Sequence, residues 1–232
     1  MNMSDKSTSK KGGPSTVGKL YLLAYNTIQT VGWTYLLLQT LGYFLNRGRL
    51  DNYWEEIKWT VVIFQNAAIL EVVHAAVGLV PSGVATTLAQ VYSRVFLVIG
   101  ALLATASAPR SPGLPLCILA WSITESIRYA YYALNLVKLV PRFLLVTRYS
   151  TFLALYPLGV TGELLCMYHA LPEVAEKQLF SVSMPNAYNF LFSYYHFLIF
   201  YMFLYIPLFP VLFGHMMSQR RKMLGADPKK SR

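Results

Sequence analysis

The sequence predicts an all-α integral membrane protein, a bundle of six transmembrane helices with both termini in the cytoplasm. Of its 232 residues, 55% are hydrophobic and only 13% are charged, and the mean hydropathy is +0.42. That charged fraction is about half the share of a soluble globular protein, which excludes a soluble enzyme and a disordered chain. Six apolar stretches are each long enough to cross a bilayer. An excess of Lys and Arg on one side of these stretches predicts their orientation.

The six predicted spans are apolar runs that polar, basic or turn-forming segments separate, and they cover residues 20–45, 59–80, 84–107, 114–139, 149–171 and 188–218. The first run has no charge, is too long for a signal-peptide core and lacks a small-residue cleavage site. Residues 81–83 and 109–113 contain Pro and Gly and predict turns. Residues 172–185 are predicted to form a polar loop. A kink is expected at Pro207 and Pro210 because proline cannot donate a helical hydrogen bond.

Basic residues predict the topology. Residues 1–19 are a predicted disordered basic tail, residues 20–218 the six-span membrane domain, and residues 219–232 a basic cytoplasmic tail. With cytoplasmic termini, thirteen Lys and Arg residues fall on the cytoplasmic side and five on the opposite side. The net charge of +10 is therefore interpreted as basic loops, and no nucleic-acid partner is predicted. Lys229 and Lys230 resemble the dilysine retrieval signal of endoplasmic reticulum membrane proteins; a solvated basic tail is the alternative.

Five ionisable residues lie inside the predicted spans: Glu71, Arg94, Glu125, Arg128 and Glu163. A charge at the centre of a membrane helix costs about 2.5–3.5 kcal/mol on insertion scales, so these side chains are expected to face the bundle interior and find partners. Glu125 and Arg128 are three residues apart and predict an ion pair, whose role is either structural or catalytic. Gln90, one turn before Arg94, and Arg148 are the further polar residues expected to support a site.

The histidines do not form a metal-binding pattern. None of the HxxxH, HxxHH or HExxH spacings occurs in the chain, which excludes a di-iron desaturase and a zinc protease. No metal ligand set and no cofactor are predicted. His74 is interpreted as a buried, hydrogen-bonded histidine.

Tyr156 and Glu163 are the candidate catalytic residues. They are seven residues apart, which is two helical turns, so they lie on one face about 10 Å apart along the helix axis. A phenol and a carboxylate in a partly dry pocket can act as an acid–base couple. Pro157, Gly159 and Gly162 reduce side-chain bulk there and leave room for a substrate. A tyrosine that serves only helix packing is the alternative.

At this segment the chain resembles the 3-hydroxyacyl-CoA dehydratases, also called protein-tyrosine-phosphatase-like membrane proteins. The resemblance extends from Tyr21 to Lys222. Its motifs are YN with GW at 25–33, LEVVH at 70–74, WSITESIRY at 121–129, LYPLGVTGE at 155–163 and MPN with YNF at 184–190. The resemblance implies six spans and assigns the family's catalytic tyrosine and glutamate to Tyr156 and Glu163.

The activity that this resemblance implies is the removal of water from very-long-chain 3-hydroxyacyl-CoA to give trans-2-enoyl-CoA. This is the third step of fatty acid elongation, in the endoplasmic reticulum membrane, next to the condensing enzyme and the ketoacyl and enoyl reductases. Glu163 is the expected base and Tyr156 the expected acid, and the opposite assignment stays open. The CoA head is expected on the cytosolic side near Lys138, Arg142 and Arg148. A non-catalytic scaffold for other elongation enzymes is the alternative, and a transporter is a weaker third hypothesis.

The phosphatase part of the family name does not fit residues 74–82, HAAVGLVPS. A cysteine phosphatase loop reads HCxxGxxR[ST], in which the thiolate attacks and the arginine binds phosphate. Ala75 stands in place of the cysteine and Pro81 in place of the arginine. Phosphatase chemistry is therefore excluded at this segment.

Overall fold

The computed structural model describes residues 15–46, 48–183 and 191–225. Its α-helices are α1 (Thr16–Asn46), α2 (Tyr53–Ala67), α3 (Ile69–Ala76), α4 (Val84–Phe96), α5 (Gly113–Leu136), α6 (Arg142–Arg148), α7 (Phe152–Lys177) and α8 (Tyr194–Leu224). A π-helix (Leu97–Leu102) continues α4, and a 3₁₀-helix (Ala108–Arg110) precedes α5. Strands β1 (Val182–Ser183) and β2 (Leu191–Phe192) pair antiparallel, with Val182 opposite Phe192.

Helix α5 is the central element, and it packs most extensively against α1 and α7. The contact with α1 includes a 3.2 Å hydrogen bond from the Thr34 hydroxyl to the Ser126 hydroxyl. The contact with α7 is a close backbone approach. A Cβ atom added at Gly162 would lie 2.5 Å from the backbone nitrogen of Cys117 and 2.6 Å from the carbonyl oxygen of Gly113. Glycine at this position therefore sets the distance between α5 and α7.

Among the described residues, three helical segments are long and apolar enough to cross a membrane: Tyr53–Ala76, Val84–Leu102 and Tyr194–Leu224. A fourth is added if α6 and α7, which meet at a bend of 41°, form one span. Helices α1 and α5 contain 31 and 24 residues, which is also sufficient length. They are less apolar because they carry buried polar side chains such as Gln29 and Glu125. The chain is thus a multi-pass helical membrane protein, and the long helical segments of its described residues follow one another in the order of the predicted apolar stretches.

The predicted polar loop over 172–185 is wrong in its first part, because α7 continues through Pro172 to Lys177. Two sets of contacts hold the last turn of this helix. The carboxylate of Glu173 accepts hydrogen bonds from the backbone N–H groups of residues 106 and 107 at 2.8 and 2.9 Å. The Lys177 ammonium donates to the same carboxylate at 2.8 Å. These contacts offset the helical hydrogen bond that Pro172 cannot donate.

The last helix is displaced relative to its prediction. Helix α8 starts at residue 194 and ends at residue 224, six residues beyond the expected end of the membrane domain, and it includes Pro207 and Pro210. Three predicted features lie outside the described residues: most of the N-terminal tail (1–14), the motif at 184–190 and the basic C-terminal residues 229–230.

Candidate active site

Glu163 lies where three helices meet. It belongs to α7, and only 6% of its surface is exposed. The indole N–H of Trp121 on α5 donates to Oε1 at 2.9 Å, and the hydroxyl of Tyr205 on α8 donates to Oε2 at 2.8 Å. Each carboxylate oxygen therefore accepts a hydrogen bond from one neutral donor, and the two bonds fix the orientation of the carboxylate.

The close contact between α5 and α7 places Trp121 beside this carboxylate. Gly113, Cys117 and Trp121 follow one another at intervals of four residues and so line one face of α5. Gly162 packs against the first two of these residues with no side chain between the backbones. This contact brings Glu163, the neighbour of Gly162, within hydrogen-bond distance of Trp121.

Tyr156 lies on the same helix, two turns closer to the α6–α7 bend. Its ring stacks on Phe209 of α8, with 4.9 Å between the ring centroids and an angle of 16° between the planes. A second stacking contact is made with Phe213 at 6.3 Å. The side chain is half-buried, and its hydroxyl has no hydrogen-bond partner within the described part of the chain. The phenol of Tyr156 is thus held by its ring and keeps its hydroxyl available for a substrate.

A network of two arginines and two glutamates lies beside Glu163. Arg128 donates from Nε to Glu125 at 2.7 Å and from its two terminal nitrogens to the two oxygens of Glu71 at 2.6 and 2.7 Å. Arg94 on α4 donates to the other oxygen of Glu125, which is 2% exposed. The predicted Glu125–Arg128 pair is confirmed, and it is extended at both ends by residues of α3 and α4. The formal charge of the four side chains sums to zero.

Arg94 connects this network with the Glu163 pocket, since its guanidinium lies 5.8 Å from the centre of the Trp121 ring. At the other end, the Tyr129 hydroxyl donates to Glu71. The ring of Tyr129 makes an edge contact with Tyr25 of α1, with centroids 6.0 Å apart. Polar and aromatic groups therefore form a continuous layer from α1 to α8.

The remaining predicted residues lie around this layer. Arg148, at the end of α6, donates to the Tyr132 hydroxyl at 3.1 Å. Gln90 is exposed, and its side chain joins none of the hydrogen bonds found among the described residues. His74 is buried, and its Nε2 is 3.0 Å from the Tyr21 hydroxyl, which confirms the interpretation of a hydrogen-bonded histidine.

Tyr205 is a member of the site that sequence reasoning missed. It lies in an aromatic helix whose sequence shows no polar periodicity, so nothing local distinguishes it from its neighbours. Trp121 lies in a motif of the family resemblance, four residues before Glu125, but its spacing does not indicate a bond to Glu163.

Within the described part of the chain, the arrangement provides a carboxylate, a phenol whose hydroxyl has no partner, and neutral hydrogen-bond donors in a largely apolar interior. Within residues 15–46, 48–183 and 191–225, no three His, Cys, Asp or Glu side chains are grouped as metal ligands. The groups at the site are those of proton transfer, since one can accept and another can donate a proton.

Comparisons with known proteins agree on one family. The family model described as "Protein tyrosine phosphatase-like protein, PTPLA" matches residues 65–226. Very-long-chain (3R)-3-hydroxyacyl-CoA dehydratase 2 of Mus musculus is 43% identical over 215 residues, which are 93% of this chain and 85% of that protein. Very-long-chain (3R)-3-hydroxyacyl-CoA dehydratase hpo-8 of Caenorhabditis elegans is 46% identical over 211 residues, which are 90% of this chain and 97% of that protein. The dehydratase PASTICCINO 2 of Arabidopsis thaliana is 35% identical over 216 residues, with 93% and 97% covered. No solved structure matches the chain.

Proposed function

The chain belongs to the protein tyrosine phosphatase-like protein family, and from this we propose that Tyr156 and Glu163 form the acid–base pair of a very-long-chain 3-hydroxyacyl-CoA dehydratase. The protein is a hydro-lyase of very-long-chain fatty acid elongation, and its substrate is an acyl-CoA. The reaction removes water from the 3-hydroxyacyl-CoA and leaves the trans-2-enoyl-CoA.

The observation that supports this assignment is the state of the three intramembrane carboxylates. Glu71 and Glu125 are both bound to arginine, and these ion pairs occupy their carboxylate oxygens. Glu163 has only the neutral donors Trp121 and Tyr205 among the described residues. It is therefore the carboxylate that is both oriented and free to take a proton.

The chemistry requires two groups. The proton on the carbon next to a thioester is weakly acidic, and hydroxide is a poor leaving group, so a base and an acid must act together. Glu163 takes the proton from that carbon as the double bond forms. The bond from the neighbouring carbon to its hydroxyl breaks, and Tyr156 protonates the departing oxygen, which leaves as water. Return of the proton from Glu163 to Tyr156 through water restores the pair.

Tyr205 is a second candidate for the acid, because it already donates to Glu163. Its hydroxyl is 2.8 Å from the base, whereas Tyr156 lies two turns away on α7. The hydroxyl of Tyr205 is engaged, whereas that of Tyr156 has no hydrogen-bond partner among the described residues, which favours Tyr156 as the group that meets the substrate.

The test is dehydration of a very-long-chain 3-hydroxyacyl-CoA by the purified protein in detergent. Glu163→Gln keeps the shape of the side chain and is expected to lower kcat by about 10²-fold or more at unchanged protein yield. The matched control is Glu176→Gln, which removes an exposed carboxylate from the end of the same helix and is expected to leave turnover unchanged. Full turnover by Glu163→Gln would transfer the role of base to another residue. No turnover by the wild type, beside an active relative, would favour the scaffold hypothesis.

We also propose six spans with both termini in the cytoplasm. The start of α7 and the end of α8 lie together, because Arg220 Nε is 3.5 Å from the Ser150 hydroxyl. The end of α7 lies instead beside residues 106 and 107. One end of the bundle is thus rich in Lys and Arg, and the other carries acidic residues, which is the asymmetry of a protein with a basic cytoplasmic face.

The proposed location is the endoplasmic reticulum membrane, and the proposed partners are the condensing enzyme and the ketoacyl and enoyl reductases of the elongation cycle. This proposal depends on the resemblance and on the C-terminal lysines at 229–230. It adds no residue to the site.

A further inference from the structure

The end of the bundle formed by α6 and the last turns of α8 is strongly basic. Within the described residues it includes six cations, which lie at the end of α5, along α6 and at the end of α8: Lys138, Arg142, Arg148, Arg220, Arg221 and Lys222. The contact between Arg220 and Ser150 shows that the α8 cations lie beside the α6–α7 bend.

This basic end has no carboxylate among the described residues. Three of the described acidic residues are in the interior layer, namely Glu71, Glu125 and Glu163. The others are at the start of α2 or at the end of α7, beside the segment 103–110. No described ion pair includes a cation of the basic end. These positive charges are therefore not neutralised by any carboxylate of the described residues.

Arg148 differs from the other cations of this end because aromatic rings surround it. Its guanidinium carbon lies 5.7 Å from the ring centre of Tyr131, 5.1 Å from that of Tyr132 and 5.9 Å from that of Tyr149. One terminal nitrogen donates to the Tyr132 hydroxyl at 3.1 Å. Its Nε is buried and has no acceptor within residues 15–46, 48–183 and 191–225.

An arginine in this state is suited to bind phosphate. The rings engage the guanidinium through cation–π contacts, and the N–H groups at its edge remain as donors. Those donors form a planar fork whose geometry matches two oxygens of a phosphate group. Buried polar groups in proteins are almost always hydrogen-bonded, so a buried Nε without an acceptor indicates a partner that is not part of the fold.

We propose that Arg148, in the pocket of Tyr131, Tyr132 and Tyr149 and beside Arg220, binds a phosphate group of the CoA portion of the substrate. The inference rests on the proposed dehydratase function and names the group that holds the head of its substrate. Arg148 and Tyr156 are eight residues apart, about 12 Å at helical rise, with the bend between α6 and α7 in between. The phosphates would lie on the basic side of the acid–base pair, and the pantetheine arm would extend from them toward Tyr156.

The experiment compares two substrates that share the same 3-hydroxyacyl chain, a CoA thioester and a pantetheine thioester that lacks the phosphates. Arg148→Gln is expected to raise KM for the CoA thioester by about tenfold or more and to leave KM for the pantetheine thioester within about twofold. Arg148→Lys keeps the charge and is expected to recover part of the loss. The control is Arg221→Gln, which removes an exposed charge from the same end of the bundle and is expected to change neither KM.

An equal rise in KM for both thioesters would overturn the proposal, because a structural defect affects the two substrates alike. A rise in KM of Arg148→Gln that appears only in vesicles with anionic phosphatidylglycerol, and not in neutral phosphatidylcholine, would assign the site to a lipid headgroup and also overturn the proposal.

If Arg148→Gln does not fold, wild-type protein is tested with adenosine 3′,5′-bisphosphate as the probe. Competitive inhibition by this bisphosphate against the CoA thioester supports the proposal, and the absence of such inhibition contradicts it. Failure of the wild type to dehydrate either thioester would instead refute the proposed function.

Discussion

At the scale of single residues, the tyrosine that supplies the proton can be identified by comparing two conservative variants. Tyr156→Phe removes one hydroxyl and retains the ring that stacks on Phe209, so it is expected to lower turnover by about 10²-fold or more at unchanged abundance. Tyr205→Phe removes one of two hydrogen bonds to Glu163 and is expected to cost about tenfold or less. Turnover is measured in detergent at saturating substrate.

A double variant tests whether Tyr156 and Glu163 act in the same step. Tyr156→Phe together with Glu163→Gln is expected to be little worse than the poorer single variant, since groups that act in one transition state are not additive. If Tyr205→Phe loses more turnover than Tyr156→Phe, the role of the acid passes to Tyr205.

We expect a structural role for Arg128, the arginine that joins two glutamates. Arg128→Leu leaves both Glu71 and Glu125 without one partner, and removal of one member of a buried ion pair costs about 3–5 kcal/mol. We expect a lower thermal unfolding temperature and low yield. Arg110→Leu, at an exposed arginine, is the control and should change stability by no more than about 0.5 kcal/mol. Wild-type stability with lost turnover would show that Arg128 acts in the reaction.

At the scale of elements, the contact between α5 and α7 controls the position of Glu163. Gly162→Ala places a methyl group against the backbone of Gly113 and Cys117, so α7 must move away from α5 at a cost of about 1–3 kcal/mol. Because the Glu163 hydrogen bond to Trp121 depends on this distance, turnover should fall as well. Thermal stability and turnover are both measured on protein purified in the same detergent.

Gly214→Ala is the matched control for this variant. A Cβ atom at Gly214 of α8 would meet nothing within 4 Å, and alanine favours a helix by up to about 1 kcal/mol over glycine. Equal stability and equal turnover of the two alanine variants would mean that the close backbone contact at Gly162 does not position the Glu163 carboxylate.

The order of the helical segments and the pair at Glu125 and Arg128 were predictable, because both follow from local spacing. The partner of Arg128 on α3 was not, since Glu71 is 57 residues away and spacing does not indicate which helices become neighbours. The end of α7 was missed for a similar reason. Pro172 indicates a helix end, but the contacts of Glu173 with residues 106 and 107 extend the helix beyond it.

At the scale of the whole molecule, we expect location to depend on Lys229 and Lys230, which lie outside the described residues. Changing Lys229 and Lys230 together to Ser is expected to let part of the protein reach later secretory compartments, as judged by microscopy and by glycan processing on an attached reporter. Changing Arg220 and Arg221 is not a suitable comparison, because Arg220 lies at the proposed phosphate site; Lys222→Ser serves as the control. Unchanged reticular localisation of the double variant would assign retention to the spans or to partners.

The ionic network joins helices that are synthesised at different times. Glu71 and Arg94 are synthesised before α5, yet their partners in the network, Arg128 and Tyr129 for Glu71 and Glu125 for Arg94, all belong to α5. A nascent chain that ends before residue 113 therefore carries one acidic and one basic group in the bilayer without these partners. On insertion scales each of these two charges costs about 2.5–3.5 kcal/mol at a helix centre, a cost that the partners on α5 reduce once that helix has been made.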